Sequence, residues 1–209
     1  MIVASLHVGT PRAETFRSGT LVTGGAKVSA AGAVLRFQGF EGDGVADRRH
    51  HGGPDRTACV YPAEHYAWWS SVHGFELRFG AFSENLTVEG AREEEICIGD
   101  IIRIGKALAQ VTLPRDPCPT IDRITDIPLI HRLARETGRC GFHMRTLEEG
   151  LVQAGDSFVV VERNTAAVSV AAVLDLYHGR SSDRALQRKL LDMPEFADEG
   201  KREITRRVK

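Results

Sequence analysis

The stretch Glu95-Ile-Cys-Ile-Gly-Asp-Ile-Ile-Arg-Ile-Gly105 carries the clearest signal of fold class in this chain. Its apolar residues form two short runs typical of β-strands, and the pair Gly99-Asp100 separates them as a turn. The segment Ala109-Gln-Val-Thr-Leu113 continues the pattern with a further strand. We therefore expect a mainly β structure in this part of the chain.

Strand-like segments recur on both sides of this stretch. Residues 57–61 read as a buried strand ended by Pro62, and residues 142–145 and 157–162 read as later strands. Two helices interrupt them. One begins at Pro62, and the other spans residues 128–137, with Asp126 as its cap and Gly138 as its stop. Many short strands with inserted helices predict a partly closed β-barrel.

The composition changes near Asn164, after which no strand signal remains. Three short helical patterns follow: the first ends at Gly179, the second is capped by Ser182 or Asp183, and the third opens at Pro194. We therefore predict a β-barrel domain over residues 1–163 and a three-helix region over residues 164–209.

Composition excludes several classes of function. The chain has 209 residues, 42% of them hydrophobic, and a net charge of −1, so no overall field attracts it to nucleic acid or to a membrane surface. No apolar run approaches the roughly 18 residues that a membrane span needs. The four cysteines form no C-x-x-C pair, which argues against a zinc ribbon or a disulfide framework. We expect a cytoplasmic protein whose partners are neither nucleic acids nor membranes.

The segment Pro114-Arg-Asp-Pro-Cys-Pro119 places Cys118 on a stiff turn between two prolines. Thr120 begins a helical turn, and Arg115 is close in sequence. A helix start and a cation both lower the pKa of a thiol and favour the thiolate, which attacks carbon or binds a soft metal. The alternative is a loop cysteine with no role.

Three other polar clusters contain candidate ligand-binding residues. In His50-His51-Gly-Gly-Pro-Asp55-Arg56, adjacent histidines in an extended segment point to opposite faces, so both cannot ligate one metal. Asp55 could hold a histidine tautomer or a ligand amine, and the alternative for the cluster is a turn whose histidines satisfy backbone groups. The pair Glu84-Asn85 could hydrogen-bond a planar heterocycle or simply cap a turn, and Lys27 could meet a phosphate, although the P-loop spacing is absent.

In this order, the clusters resemble the MOSC domain family (molybdenum cofactor sulfurase C-terminal domain), specifically its YiiM-like branch. The resemblance covers roughly residues 1–163, and the tail is similar to the helical region of the same branch. It rests on an ordered set of motifs: Gly42-Asp43, His50-His51-Gly-Gly-Pro-Asp-Arg, Tyr61-Pro, Gly80-Ala-Phe-Ser-Glu-Asn-Leu, Cys97-Ile-Gly-Asp, Pro114-Arg-Asp-Pro-Cys118 and Gly141-Phe.

The resemblance implies a barrel like that of pyruvate kinase and a molybdenum–pterin cofactor whose metal is ligated by Cys118. It also implies a link to pyridoxal phosphate through the related sulfurases. Cations would bind the cofactor's phosphate, and polar side chains would bind the pterin and move protons. The candidate cations are Lys27, Arg56, Arg115 and Arg145; the candidate polar groups are His50, His51, Glu84, Asn85 and Asp55.

Three functions agree with these residues. The leading hypothesis is a molybdenum-dependent oxidoreductase that reduces small N-hydroxylated compounds and takes electrons from a separate protein. The second is sulfur transfer through a persulfide on Cys118, and the third is a non-catalytic carrier of the cofactor. A hydrolase using Cys118 with His50 or His51 is a further alternative, but no oxyanion motif supports it.

Overall fold

The computed structural model describes residues 1–49 and 51–207, which contain thirteen strands and six helices. The strands are β1 (Ile2–Val8), β2 (Arg12–Phe16), β3 (Gly19–Thr23), β4 (Val28–Ala30), β5 (Gly32–Arg36), β6 (Gly39–Phe40), β7 (Ala58–Pro62), β8 (Leu86–Glu89), β9 (Ile101–Ile104), β10 (Ala107–Pro114), β11 (Phe142–Glu148), β12 (Gly150–Gln153) and β13 (Phe158–Glu162). The helices are α1 (Glu64–His73), α2 (Thr120–Thr125), α3 (Ile130–Thr137), α4 (Val170–Tyr177), α5 (Arg184–Asp192) and α6 (Asp198–Arg207).

Eight strands form one mixed sheet in the order β13-β9-β10-β11-β7-β8-β1-β4. The β7–β8 pair is parallel, and α1 lies on the connection between its two strands. Such a crossover is needed because a tight turn cannot join parallel strands. Every residue of β7 is buried, as expected for a strand covered on both faces. A three-stranded sheet, β12-β5-β6, and the β2–β3 hairpin complete the β structure.

The sheet is not a closed barrel. β13 and β4 are its edge strands, and β1 does not pair along β13. Among the described residues, β1 and the start of β13 are joined by an isolated bridge, Ile2–Ser157, and by a few backbone hydrogen bonds beside it. The prediction of a mainly β fold with helices is confirmed. The predicted barrel is not, because the side of β1 that does not face β8 pairs with β4, which ends the sheet.

Several local predictions need correction. Residues 95–100 form turns instead of a strand, because the buried Asp100 accepts hydrogen bonds from the backbone N–H groups of Cys97 and Asn164. Asp126 ends α2 in a left-handed conformation and does not cap α3. Asp122 instead accepts the N–H groups of Leu129 and His131 at the start of α3. The last helix begins at Asp198, not at Pro194.

The C-terminal helices share the main hydrophobic core with the sheet. Fully buried Val173 and Leu174 of α4 belong to the same cluster as Val111 and Phe142 of the sheet. The three helices predicted after Asn164 are therefore present, and Asp183 caps the second of them. The boundary proposed between two domains stays a prediction. No helix in the described part of the chain has the length and hydropathy of a membrane span.

A second, aromatic cluster supports the loop that carries Cys118. Trp69 on α1 donates a hydrogen bond to the Tyr61 hydroxyl at 2.8 Å, and Tyr61 stacks on Phe82 with 4.4 Å between ring centroids. Ile121 of α2 and Ile130 of α3 pack in the same cluster. The aromatic residues of α1 thus anchor the two helices that follow the loop.

Candidate functional site

A cavity of about 670 Å³ opens beside Cys118. Its walls come from the β3–β4 region, the segment around His51, the β10–α2 loop, β11 and the start of α6. Six of the residues predicted from the sequence line it: Lys27, His51, Arg56, Asn85, Arg115 and Cys118. The fold therefore brings together segments that are far apart in the chain.

Two thiols line the cavity, Cys118 and Cys59, and the pKa of Cys118 is lowered. Burial opposes its ionisation, but hydrogen bonds from His51 and from the side chain and backbone of Thr120, together with the charge of Arg115, lower its pKa to about 6. Burial raises the pKa of Cys59 and of Cys140, so these thiols stay protonated at neutral pH. The prediction that residues near Cys118 favour its thiolate therefore agrees with the geometry.

Arg115 is a buried cation that forms no ion pair with a carboxylate among the described residues. Its side chain is 8% exposed, and its Nη1 atom is buried without a hydrogen-bond partner in the described part of the chain. Its backbone N–H donates to the carbonyl of Gly141 at 3.0 Å, which fixes the loop against the start of β11. A buried guanidinium without a carboxylate is costly, so this one is suited to an anionic ligand.

Lys27 and Asn85 are engaged within the protein. The Lys27 ammonium pairs with Asp43, which also accepts the N–H of Gly9. Asn85 donates from Nδ2 to Asp43 and to the carbonyl of His7, and its Oδ1 accepts the N–H of Cys59. A ligand could use only the second lone pair of Oδ1 on Asn85, because both amide hydrogens are occupied.

Three predicted residues do not line the cavity. Glu84 is fully buried and accepts hydrogen bonds from Tyr66, Gly80 and Thr87. Asp55 forms an ion pair with Arg145, with 3.2 Å between Oδ1 and Nε. None of these three side chains lines the cavity. Their roles toward a cofactor therefore stay predictions. His50 lies outside the described residues.

The structure adds residues that the sequence reasoning did not identify. His143 of β11 lines the cavity; burial, together with the charges of Arg56, Arg115 and His51, lowers its pKa well below the usual value. It is therefore a neutral imidazole at physiological pH. Glu199 of α6 pairs with Arg56 at 2.5 Å. No local motif marks either residue, because both reach the cavity through long-range packing.

Asp116 connects the Cys118 loop to α3. Its Oδ1 atom lies 2.6 Å from Nε of Arg135, and both residues line the cavity. Asp116 was part of the quoted proline-rich motif, so its position was detectable, but its partner on α3 was not. The site thus combines a thiolate, a neutral imidazole and a buried cation, which suits binding of a soft metal and an anionic group.

Comparison with known proteins agrees with this geometry. The chain is 39% identical over 190 residues to "Uncharacterized protein YflK" of Bacillus subtilis (strain 168), covering 90% of this chain and 86% of the other. It is 34% identical over 169 residues to "Protein YiiM" of Escherichia coli (strain K12), covering 79% and 75%. A protein named "Reductase" from Gibberella moniliformis (strain M3125 / FGSC 7600) is 31% identical over 148 residues, which are 69% of this chain and 26% of that protein.

A solved structure and a domain match lead to the same family. The crystal structure of YiiM from Geobacillus stearothermophilus superposes with a TM-score of 0.83 and 29% sequence identity, covering 100% of this chain and 99% of that one. Residues 47–159, which include the whole β7–β11 region and Cys118, match the MOSC domain. The chain therefore belongs to the MOSC domain family and to its YiiM-like branch.

Proposed function

We propose that this protein binds the molybdenum cofactor in the cavity beside Cys118 and reduces small N-hydroxylated compounds. The observation that carries the proposal is the presence in one cavity of a low-pKa thiol and a buried guanidinium whose Nη1 atom has no hydrogen-bond partner among the described residues. Membership of the MOSC family and the similarity to a protein named "Reductase" support the same reading.

The residues present fit such a cofactor. Thiolate sulfur is a soft ligand that suits a soft metal centre, and Cys118 is largely ionised at neutral pH. Arg115 offers a buried guanidinium to the cofactor's phosphate, and Arg56 adds a second cation to the same wall. The cavity volume of about 670 Å³ lies within the usual range of small-molecule sites.

When bound, the cofactor would supply the two-electron chemistry that no side chain provides. The overall conversion breaks the N–O bond, forms an N–H bond and releases water, consuming two electrons and two protons. His51 and His143 both line the cavity, and we assign to them the movement of protons to the departing oxygen. His143 is suited to this because it is neutral and can accept or donate through its free Nδ1 atom.

A direct test is turnover of an aromatic amidoxime by cofactor-loaded protein with chemically reduced methyl viologen as electron source. We expect wild-type activity and a loss of about 100-fold or more in Cys118→Ser, since even residues that only support a metal ligand cost 10–100-fold. Cys97→Ser is the matched control, because Cys97 lies outside the cavity. Equal turnover by wild type and Cys118→Ser would contradict the assignment.

Sulfur transfer is the second candidate, because the same low-pKa thiol would form a persulfide readily. Intact-mass measurement on the isolated protein separates the two. A dithiothreitol-labile addition of one sulfur on Cys118, without molybdenum, favours transfer. Bound pterin without turnover would favour the carrier hypothesis.

The described cavity gives no support to binding of pyridoxal phosphate. The lysine in its lining, Lys27, is paired with Asp43.

A further inference from the structure

A second, larger cavity lies next to the Cys118 cavity. It has a volume of about 900 Å³ and runs between α3 and the segment from the end of α4 to α5. Its charged lining consists of four arginines, one glutamate and a histidine: Arg132, Arg135, Arg180, Arg184, Glu136 and His178. We refer to it as the basic groove.

The groove has a small local surplus of positive charge, because its four arginines face Glu136 and the partner carboxylates Asp116 and Asp175. The whole chain carries a net charge of −1, so the concentration of arginines at this place does not follow from composition. Arg135 and Arg180 each have a carboxylate partner, Asp116 and Asp175. Arg132 and Arg184 are exposed and form no ion pair within the described residues, so both can attract an external anion.

The groove and the Cys118 cavity share one wall. Arg135 lines both, and its ion pair with Asp116 ends two residues before Cys118. Arg180 fixes the other side of this wall, because its Nη1 atom donates to the carbonyl of Arg135 at 2.7 Å. A molecule held in the groove therefore contacts a side chain, Arg135, that also lines the Cys118 cavity.

We propose that the basic groove is the docking surface for an acidic electron-transfer protein, which delivers the two electrons that each turnover consumes. This inference rests on the proposed reductase function. Two one-electron donors, or one two-electron donor, are oxidised for each N–O bond that breaks. Exposed arginines on α3 and α5 suit carboxylates that surround a donor's redox centre, and such charge complementarity mainly accelerates encounter and fixes orientation.

The test uses cofactor-loaded protein and two probes, an acidic flavodoxin and an acidic [2Fe–2S] ferredoxin. Binding of each oxidised probe is measured at low ionic strength, and amidoxime turnover is driven either by the reduced probe or by reduced methyl viologen. The double variant Arg132→Glu/Arg184→Glu reverses two charges of the groove. The matched control, Lys106→Glu/Arg202→Glu, reverses two exposed charges outside it.

We expect at least one probe to bind wild type, and the groove variant to weaken its binding about tenfold or more. Turnover driven by that probe should fall in proportion, while viologen-driven turnover stays at the wild-type level. The control should remain within about twofold of wild type in every assay. Binding that is equal in both double variants, or that neither probe shows, would overturn the proposal.

The two proposals fail in different ways. If wild type shows no viologen-driven turnover, the reductase function fails, and the binding comparison still decides whether the groove docks an acidic protein. If viologen-driven turnover is present but the groove variant binds and accepts electrons normally, the docking surface lies elsewhere and the function stands.

Discussion

At the scale of single residues, the chemistry of the site comes from two charged side chains that burial removes from water. Cys118 is partly buried yet has a pKa of about 6, and Arg115 is buried with an unpartnered Nη1 atom. The two charges stabilise each other, but burial still costs both groups solvation. Such costs are typical of binding sites, where stability is sacrificed for a ligand.

The first prediction concerns the pH dependence of Cys118 alkylation. Because its pKa is lowered from about 9 to about 6, the thiolate fraction rises through pH 6 and is nearly complete at pH 7. The iodoacetamide rate of cofactor-free protein should therefore reach half its plateau near pH 6. Thr120→Val removes one hydrogen bond to the sulfur and should move the midpoint upward. A wild-type midpoint near pH 9 would contradict this account, and Cys118→Ser supplies the blank.

A second prediction concerns the stability of the cofactor-free protein. Arg115→Met removes a buried cation, so we expect the free energy of unfolding at pH 5 to rise by about 1–3 kcal/mol. At this pH most Cys118 is a neutral thiol, which removes its attraction to Arg115. Arg139→Met is the control and should destabilise, because Arg139 stacks on Trp68 and donates to Thr137. Urea denaturation at pH 5 measures the free energy of unfolding of both variants. A value for Arg115→Met below that of wild type would refute the prediction.

At the scale of elements, the position of Cys118 depends on the turn before β11. Glu93 accepts the N–H groups of Cys140 and Gly141 and a hydrogen bond from His65. The carbonyl of Gly141 in turn accepts the N–H of Arg115. This buried carboxylate therefore holds the turn before β11, to which the Cys118 loop is hydrogen-bonded through Arg115.

Gly141 provides a sharp test of that arrangement. Its φ is +77°, and an added Cβ would lie 2.2 Å from the carbonyl oxygen of Val60, a backbone atom that cannot move away easily. Gly74 at the end of α1 has a similar φ of +68° but open space around it. Gly74→Ala should cost about 1–2 kcal/mol from the left-handed conformation alone, and Gly141→Ala clearly more. Equal losses in thermal or urea unfolding would show that the close approach to Val60 is unimportant.

Much of the element pattern could be predicted from local sequence. The β9–β10 region, the buried β7, the helix after Pro62 and the three C-terminal helices follow from apolar periodicity, proline and capping residues. Residues 95–100 could not be assigned correctly, because their apolar side chains are buried in turns held by Asp100. The start of α3 also depends on Asp122 from the preceding helix, which no local capping rule would select.

The candidate site was less predictable than the elements. The proline-rich motif identified Cys118 and Arg115, since a thiol and a cation on a stiff turn are visible in sequence. Long-range packing decides the remaining lining. It brings His143 of β11 and Glu199 of α6 to the cavity, and it leaves Glu84 and Asp55 outside the lining. These contacts cannot be derived from residue spacing in one chain.

At the scale of the whole molecule, the tail is integrated with the sheet. Val173, Leu174 and Phe196 lie in the main core, and the N–H of Ala197 donates to the carbonyl of Thr112 in β10. We therefore expect one cooperative unfolding transition instead of separate transitions for residues 1–163 and 164–209.

Two spectroscopic probes can check this. Tryptophan fluorescence reports on Trp68 and Trp69 of α1, whereas far-ultraviolet circular dichroism reports on all helices, including the tail. The two urea transitions should coincide. Leu174→Ala should lower the midpoint of both by the same amount, for a loss of about 2–5 kcal/mol. A tryptophan transition unaffected by Leu174→Ala would show that the tail unfolds independently.

The most direct measurement is the molybdenum and pterin content of protein produced in a host that makes the cofactor, comparing wild type with Cys118→Ser and Cys97→Ser. The account predicts near-stoichiometric molybdenum and pterin in wild type and in Cys97→Ser, and loss of molybdenum in Cys118→Ser. Molybdenum that is absent from all three proteins, or retained equally in Cys118→Ser, would contradict the assignment of this cavity as a molybdenum cofactor site.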